Sequence, residues 1–214
     1  MNDKLLIFDC DGTLVDSEGI ANEIFLEAVN ELGIPVTKEE AWDHFPGTSM
    51  ALCMKYVEDN YQVRLPDDFI SKQRARQRVE FGRRLQPISG VKDALGKLAY
   101  PKCVASNGPM EIIQANLKTT QLDHHFGDRI FSAYVLQVWK PEPDLFLHAA
   151  ERLGYDRQSS IVIEDSIAGM QAGINAGMTV LGYVPPHHPY KVEIEGVVEF
   201  TDMKDLPALI ESMR

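Results

Sequence analysis

Two pairs of closely spaced carboxylates are the strongest candidates for chemistry in this 214-residue chain. Asp9 and Asp11 directly follow an apolar run, and so do Glu164 and Asp165. Where the backbone is extended, residues i and i+2 point to the same side, so Asp9 and Asp11 could act together before Gly12 turns the chain. One carboxylate would then serve as nucleophile while the other passes a proton to a leaving oxygen. A helix cap or an Asx-turn is the alternative for Asp9 and Asp11, and a helix N-cap is the alternative for Glu164 and Asp165.

Three other polar residues have the chemistry to hold a phosphoryl group. Ser106 and Asn107 offer a hydroxyl, an amide and N–H groups near a predicted helix start, which suits a phosphoryl oxygen. Lys140, between Trp139 and Pro141, would neutralise phosphoryl charge if it were buried. The alternatives are helix capping for Ser106 and Asn107 and an ordinary surface position for Lys140. The carboxylates add hard oxygen ligands, which favour magnesium.

The predicted secondary structure would bring these residues to one edge of a sheet. After residue 87, short apolar runs alternate with amphipathic helices, which indicates a parallel sheet covered on both faces. We expect an α/β fold with a Rossmann-like parallel sheet core, formed by residues 1–15 and 88–214. Residues 16–87 show helical spacing and almost no strand pattern, which predicts an inserted all-α domain. Ligands on such sheets bind at the carboxyl ends of the strands, where the candidate residues lie.

The predicted elements have definite places along the chain. Helices are expected in the insertion at about residues 20–32, 49–61 and 66–85. Strands are expected at residues 4–8, 102–105, 130–132, 161–163, 179–183 and 197–200, and further helices at 109–118, 143–153, 167–176 and 206–213.

The composition narrows the class of partner. The net charge of −11 opposes binding to nucleic acid or anionic lipid, so neither is expected. The same charge repels a phosphate ester, so an anionic substrate requires a bound cation and a few placed basic residues. No apolar run approaches the roughly 20 residues of a membrane span, and the N-terminus does not read as a signal peptide. Three separated cysteines without a CxxC pattern favour a location in the reducing cytoplasm. For the oligomeric state, we expect a monomer or a weak homo-oligomer.

Four segments resemble, in order, the motifs of the haloacid dehalogenase superfamily. They are DCDGTLVDSE (9–18), VASNG (104–108), WKPEPDLF (139–146) and VIEDSIAGMQAGINAGM (162–178). The first and fourth are the most specific, and the match runs from residue 4 to about 183. The helical insertion resembles the small α-helical cap of the sugar-phosphate branch. The resemblance implies that this cap closes over the open end of the sheet and carries specificity.

The resemblance also implies roles for the carboxylates. Asp9 would attack phosphorus and form an aspartyl-phosphate, and Asp11 would act as acid on the leaving alcohol and then as base on water. The metal would be Mg²⁺, held by the Asp9 carboxylate, the Asp11 backbone carbonyl and Asp165, with Glu164 as a further ligand.

For the basic and neutral polar residues the resemblance implies contacts with the phosphoryl group. Ser106, Asn107 and Lys140 would hold its oxygens. Such an arrangement agrees with the chemistry of phosphoryl transfer, in which positioning and charge neutralisation carry most of the catalysis.

Departures from the family patterns narrow the expected reaction. Dehalogenases of this superfamily lack an aspartate where Asp11 stands, and phosphonoacetaldehyde hydrolases have alanine there, so an alcohol leaving group is implied. β-Phosphoglucomutases are the main alternative. They usually carry a histidine where this chain has Ala21 and an arginine where it has Met50. A mutase must bind a second phosphate, and the arginine that would bind it is missing here. We therefore expect hydrolysis. A binding or regulatory protein without catalysis is the second alternative, and the presence of all expected catalytic side chains argues against it.

The segment FSAYVLQVWKPEPDLFLHAA (131–150) resembles in particular the bacterial 6-phosphogluconate phosphatases. This similarity implies that the substrate is a small phosphate ester, a sugar or sugar-acid phosphate, with 6-phosphogluconate as one candidate.

Substrate contacts are expected in the cap. The turn formed by Gly47, Thr48 and Ser49 is expected to reach the substrate. Arg74 matches a position where related caps carry a basic residue, and it lies one helical turn from Arg78. A solvated helix face is the alternative for these arginines. For the histidine pair at 187–188, a Pro-rich loop is favoured over a metal site.

Overall fold

The structure, a computed structural model, describes residues 4–45, 50–186 and 191–213. The chain forms two compact units. The sheet unit consists of Met1–Asp16 and Gln86–Arg214, and the helical unit consists of Ser17–Leu85. Their assignment to a catalytic domain and a cap domain stays a prediction.

Helices build the helical unit throughout its described part. They are α1 (Glu18–Glu31), α2 (Lys38–His44), α3 (Met50–Tyr61) and α4 (Phe69–Arg84). Their apolar faces form one core, in which Phe25 packs edge to face against both Phe45 and Phe69. The apolar periodicity predicts α1, α3 and α4, and the structure confirms these three helices.

The periodicity misses α2 for a physical reason. This helix has seven residues and buries only Ala41, so it shows too few turns to establish a repeat. Its signal is instead a capping pattern, Thr-x-x-Glu. Thr37 Oγ1 accepts a hydrogen bond from the N–H of Glu40 at 3.1 Å, which starts the helix.

Six parallel strands form the sheet of the other unit. They are β1 (Leu5–Phe8), β2 (Lys102–Ser106), β3 (Ile130–Ser132), β4 (Ser160–Glu164), β5 (Thr179–Tyr183) and β6 (Val197–Phe200). Their order across the sheet is β3-β2-β1-β4-β5-β6. In the register, Phe8 lies beside Val104 of β2 and Ile163 of β4. The predicted α/β fold with a Rossmann-like parallel sheet is confirmed.

Helices flank this sheet. They are α5 (Val91–Lys97), α6 (Met110–Thr119), α7 (Asp123–Phe126), α8 (Ala133–Leu136), α9 (Asp144–Leu153), α10 (Ile167–Asn175) and α11 (Leu206–Ser212), with 3₁₀ turns at Arg157–Ser159 and Met203–Asp205. The patterns predict α6, α9, α10 and α11. They miss α7 and α8, which at four residues each are too short to show a helical repeat, and the seven-residue α5, which has no side-chain cap at its start.

The core explains why β1 is a continuous apolar run and why β2 has an apolar centre. All residues of β1 and β2 are buried, since both faces of the sheet are covered. On one face, Ile7 belongs to a cluster that includes Phe146 of α9 and Met170 of α10. On the other face, the ring of Phe8 packs edge to face against Phe126. Among the described helices, none has the length and apolar character needed to cross a bilayer.

Candidate active site

The candidate residues lie where three neighbouring strands end. Asp9 follows β1, Ser106 ends β2 and Glu164 ends β4. Because β1 pairs in parallel with β2 on one side and β4 on the other, these ends meet at one edge of the sheet. The N–H of Asp9 extends the pairing by donating to the carbonyl of Ile163 at 2.9 Å. The strand order thus joins segments that are far apart in sequence.

Lys140 is a buried cation held between two carboxylates. Its Nζ donates to Asp9 Oδ1 and, at 2.6 Å, to Glu164 Oε1. The side chains of Lys140, Asp9 and Glu164 are 2%, 10% and 1% exposed. The ammonium also lies 4.9 Å from the ring centroid of Phe146, within the range of a cation–π contact. Lys140 is therefore not an ordinary surface lysine.

The charges of Asp9 and Lys140 depend on each other. Burial raises the pKa of Asp9 from 3.8 to about 8. The attraction of Lys140 opposes this shift, and repulsion from Glu164 and Asp11 adds to it. Burial alone would lower the pKa of Lys140, but Asp9 and Glu164 outweigh it and raise that pKa above its ordinary value. Lys140 therefore stays charged at neutral pH, and a further cation near Asp9 would favour its ionised form.

Glu164 holds Lys140 and is itself fixed by the start of α10. Its Oε2 accepts from the N–H of Ser166 at 2.7 Å and from the Ser166 hydroxyl at 2.9 Å. A Cβ on Gly169 would lie only 1.7 Å from Glu164 Oε1, so glycine makes room for the carboxylate. Both oxygens of Glu164 thus have protein partners. These contacts favour a role in holding Lys140, and direct metal ligation by Glu164 stays a prediction.

Asp165 packs against the turn that follows β1. Its Oδ1 accepts from the hydroxyl of Thr13 at 2.7 Å, and both residues are buried. A Cβ on Gly12 would lie 2.0 Å from Asp165 Oδ2, and Gly12 has a φ of +81°. Glycine satisfies both demands, since it has no side chain and tolerates positive φ. The Asp165 carboxylate therefore lies directly beside the backbone next to Asp11.

Ser106 and Asn107 differ in what their side chains contact. Ser106 Oγ accepts from the N–H of Gly108 at 3.0 Å, and a hydroxyl that accepts in this way retains its proton for donation. Asn107 Oδ1 accepts from the backbone N–H of Lys140 at 3.0 Å, and its Nδ2 donates to the Lys140 carbonyl at 3.5 Å. Asn107 thus fixes the backbone that carries the lysine. Its direct contact with a phosphoryl oxygen stays a prediction.

The thiol of Cys10 is buried close to three carboxylates of the candidate site. Burial raises the pKa of its thiol well above the ordinary value. The charges of Asp11, Asp9 and Asp165 raise it further, against the opposing effect of Lys140. Asp11, Asp9 and Asp165 therefore all lie close enough to Cys10 to disfavour a negative charge on its thiol.

The donor set fits magnesium. Within residues 4–45, 50–186 and 191–213, no three His, Cys, Asp or Glu side chains form a group able to hold a metal by themselves. Magnesium does not require one, since it is bound through one or two carboxylates with water and substrate oxygens completing its shell. Asp9 and Asp165 are two such carboxylates, both nearly buried. Because Gly12 has no side chain, the Asp165 carboxylate can lie beside the backbone that follows Asp11.

The remaining predicted residues lie elsewhere in the chain. Arg74 is exposed on α4 of the helical unit, as is Arg78. Gly47, Thr48 and Ser49, together with the histidine pair at 187–188, lie outside the described residues. Their predicted roles stay predictions.

Three residues that contact the candidate site were missed by sequence reasoning. Thr13 and Ser166 bind the carboxylates of the fourth motif. Both lie within the motif segments themselves, so their position was the available signal. Asn116 donates to Asp11, and its signal is a polar residue at the helical spacing of the buried Ile113 and Leu117.

Known proteins are similar in sequence to this chain over most of its length. A family model described as haloacid dehalogenase-like hydrolase matches residues 6–183. The 6-phosphogluconate phosphatase of Escherichia coli (strain K12) is 35% identical over 207 residues, which cover 96% of this chain and 94% of that protein.

Solved structures share the fold. A conserved haloacid dehalogenase-like protein from Agrobacterium tumefaciens str. C58 has a TM-score of 0.87 and 33% identity, covering 98% of both chains. A HAD family hydrolase from Deinococcus radiodurans R1, solved with bound phosphate and sodium, has a TM-score of 0.80 and 29% identity, covering 99% of this chain and 96% of that chain. The family match spans well over half of the sequence. The chain therefore belongs to the haloacid dehalogenase-like hydrolase family.

Proposed function

We propose that the chain is a magnesium-dependent phosphatase that hydrolyses a small phosphorylated metabolite through an aspartyl-phosphate on Asp9. The observation that carries this proposal is the buried contact of Lys140 with both Asp9 and Glu164. Burying three charged groups is unfavourable for stability unless they are well paired, and a buried charge cluster with shifted pKa values is a candidate functional site. An anionic phosphoryl group arriving beside Asp9 would find a fixed positive charge next to the nucleophile.

In the first half-reaction, an oxygen of Asp9 attacks phosphorus. The bond from phosphorus to the alcohol oxygen breaks, and its electron pair passes to that oxygen. Asp11 gives this oxygen a proton, so the alcohol leaves neutral and Asp11 becomes ionised. The Lys140 ammonium and the Ser106 hydroxyl hold phosphoryl oxygens, where charge is greatest.

In the second half-reaction, water attacks the phosphorus of the aspartyl-phosphate. Asp11 takes the proton from this water, and the bond from phosphorus to the Asp9 oxygen breaks. Inorganic phosphate leaves, Asp9 is again a carboxylate and Asp11 again carries a proton. One water is consumed for each ester hydrolysed.

The proposed magnesium ligands are the Asp9 carboxylate, the Asp11 backbone carbonyl and Asp165. When bound, the ion would neutralise phosphoryl charge and favour the ionised form of Asp9. Thr13 keeps the Asp165 carboxylate in place through its hydrogen bond, which prepares the ligand before the ion arrives. Glu164 keeps Lys140 in place in the same way.

For the substrate we propose a sugar or sugar-acid phosphate, with 6-phosphogluconate as the first candidate. The identity with the E. coli 6-phosphogluconate phosphatase over nearly the full length of both chains supports this choice. Arg74 and the Gly47–Thr48–Ser49 turn are the proposed substrate contacts of the cap. We further propose that residues 1–15 and 88–214 act as the catalytic domain and 16–87 as the cap, in a cytoplasmic monomer or weak homo-oligomer.

Phosphate release tests the function. Purified protein with magnesium is expected to hydrolyse 4-nitrophenyl phosphate and at least one compound in a panel of sugar and sugar-acid phosphates. Excess EDTA should remove this activity, and Asp9→Asn should abolish it because an amide cannot attack phosphorus. Asp128→Asn, an exposed aspartate of the sheet unit, is the matched control and should keep full activity. Activity retained by Asp9→Asn would contradict the nucleophile assignment.

The same assay separates hydrolysis from transfer. With β-glucose 1-phosphate as substrate, a mutase would form glucose 6-phosphate faster than it released phosphate. We expect phosphate release without isomerisation, measured by following both products in one reaction.

A further inference from the structure

Asn116 occupies an unusual place for an amide. It lies on α6 and is 3% exposed, on the same face as Ile113 and Leu117, which are fully buried. An amide among apolar side chains is unfavourable unless its polar atoms find partners. Asparagine is also a weak helix former, so neither local propensity nor packing accounts for it. A specific partner is therefore expected.

That partner is the carboxylate of Asp11. Asn116 Nδ2 donates to Asp11 Oδ1 at 3.4 Å, across 105 residues of sequence. The other Asp11 oxygen lies near Gly108, as Ser106 does: a Cβ on Gly108 would be 3.8 Å from Asp11 Oδ2 and 3.4 Å from Ser106 Oγ. Asn116 thus occupies one oxygen of Asp11, and the other lies near Gly108, close in sequence to the Ser106 that would hold the phosphoryl group.

We propose that Asn116 is a positioning residue for proton transfer by Asp11, resting on the proposed phosphatase function. An amide NH₂ can only donate, so it pairs with an oxygen that offers a lone pair. By occupying Oδ1, Asn116 leaves the proton on Oδ2. In the first half-reaction the Oδ2–H bond breaks and the alcohol O–H bond forms, as the electron pair of the breaking P–O bond moves onto the alcohol oxygen. In the second, Oδ2 takes the proton of water.

The length of the contact is consistent with this role. Hydrogen bonds of catalytic groups are often long before substrate binds and shorten in the complex with substrate. A rotation of the Asp11 carboxylate away from the leaving oxygen would leave it unable to protonate that oxygen. The amide on α6 limits this rotation by holding Asp11 Oδ1.

A comparison of two leaving groups tests the proposal. An alkyl phosphate such as 6-phosphogluconate needs a proton on its leaving oxygen, whereas the 4-nitrophenolate of 4-nitrophenyl phosphate leaves without one. Asn116→Leu keeps a similar volume and removes the donor. We expect kcat/KM to fall about tenfold or more for 6-phosphogluconate and less than about threefold for 4-nitrophenyl phosphate. The ratio kcat/KM reports only steps through formation of the aspartyl-phosphate, so the later water step does not mask the effect.

Two further variants make the result specific. Leu117→Ala loosens the same helix face without touching Asp11, and it should lower both kcat/KM values by the same factor. Asn116→Ala also removes the donor and adds no charge, so it should show the same unequal loss and serves if Asn116→Leu does not fold. Equal losses for both substrates in the Asn116 variants, or no loss, would overturn the positioning role.

The outcome is separable from that of the proposed function. Asp11→Asn should show a larger unequal loss than Asn116→Leu, since it removes the acid itself. If Asp11→Asn shows this pattern while the Asn116 variants behave like the unmodified protein, only the inference about Asn116 is overturned. If the unmodified protein hydrolyses neither substrate, the proposed function and the inference are both overturned.

Discussion

Charged contacts differ sharply between the sheet unit and the helical unit. In the sheet unit, Lys140 pairs with Asp9 and Glu164 where almost no water reaches. In the helical unit, Arg76 makes a two-pronged contact with Glu31 at 2.8 and 2.9 Å, yet their side chains are 39% and 62% exposed. The geometry of the exposed pair is as good as that of the buried group. The environment, rather than the distance, sets them apart.

This difference in burial indicates which ion pairs should matter for stability and activity. An exposed pair exchanges water for a partner at nearly equal free energy, so it contributes little to stability. A buried group loses its hydration entirely and is held only by its partners, so removing one partner leaves an uncompensated charge. The buried group is therefore the place where substitution should matter most, for both stability and catalysis.

Removal of the buried cation should have the largest effect. In Lys140→Met the Asp9 and Glu164 carboxylates remain without their partner, and we expect a loss of about 3–5 kcal/mol in the free energy of unfolding. We also expect kcat to fall by about 10²–10³-fold or more, because the phosphoryl oxygens lose a fixed donor. Urea denaturation and phosphate release measure the two effects. Lys118→Met, at an exposed position of α6, is the matched control and should change neither.

The comparison can be sharpened with two glycines of similar backbone conformation, one in each unit. Gly12 and Gly33 have φ values of +81° and +78°, but a Cβ on Gly12 would meet Asp165 Oδ2 at 2.0 Å whereas one on Gly33 would meet nothing within 4 Å. Gly33→Ala should lose about 1 kcal/mol for the backbone conformation alone. Gly12→Ala should lose about 2–4 kcal/mol, since Asp165 must also move.

The two glycine variants should differ even more in activity. A displaced Asp165 would lower kcat/KM by about 100-fold in Gly12→Ala, and higher magnesium should recover part of the loss. Gly33→Ala should keep full activity. Equal stability losses in the two variants would mean that the close approach of Asp165 to Gly12 does not constrain the site.

Loss of the exposed pair should have the smallest effect. Arg76→Ala is expected to lower Tm by no more than about 3 °C at pH 7 and to leave kcat/KM unchanged. The hydrogen bond from Arg76 lowers the pKa of Glu31 below its ordinary 4.5, so the pair stabilises the fold above that pH. The difference in Tm should therefore shrink as the pH falls below about 4.5 through the lowered pKa. A large loss of activity in Arg76→Ala would contradict the contrast between the units.

Sequence reasoning predicted the sheet well because each strand contains a short apolar run. Residues 4–8 read as a buried strand, and the structure confirms β1 at Leu5–Phe8. Four short helices were missed. The signals of α2 and α8 are local caps, formed by Thr37 and Ser132, rather than a repeat of apolar residues.

Within the candidate site, sequence predicted which residues meet but not what each one contacts. The positions of Asp9 and Ser106 after strands placed them at one edge of the sheet. That both oxygens of Glu164 accept hydrogen bonds, and that Asn107 binds the backbone of Lys140, depends on side-chain rotamers and loop geometry. Residue type and spacing do not contain this information.

The central position of β1 has a consequence for the newly made chain. Asp9 emerges first, but its partner Lys140 is translated only after β2 and β3. Glu164 and Asp165 follow later still, at the end of the strand that covers the other side of β1. Domains fold as units as they leave the ribosome. A chain still being synthesised therefore carries Asp9, the proposed nucleophile, for most of translation without the groups proposed to make it reactive.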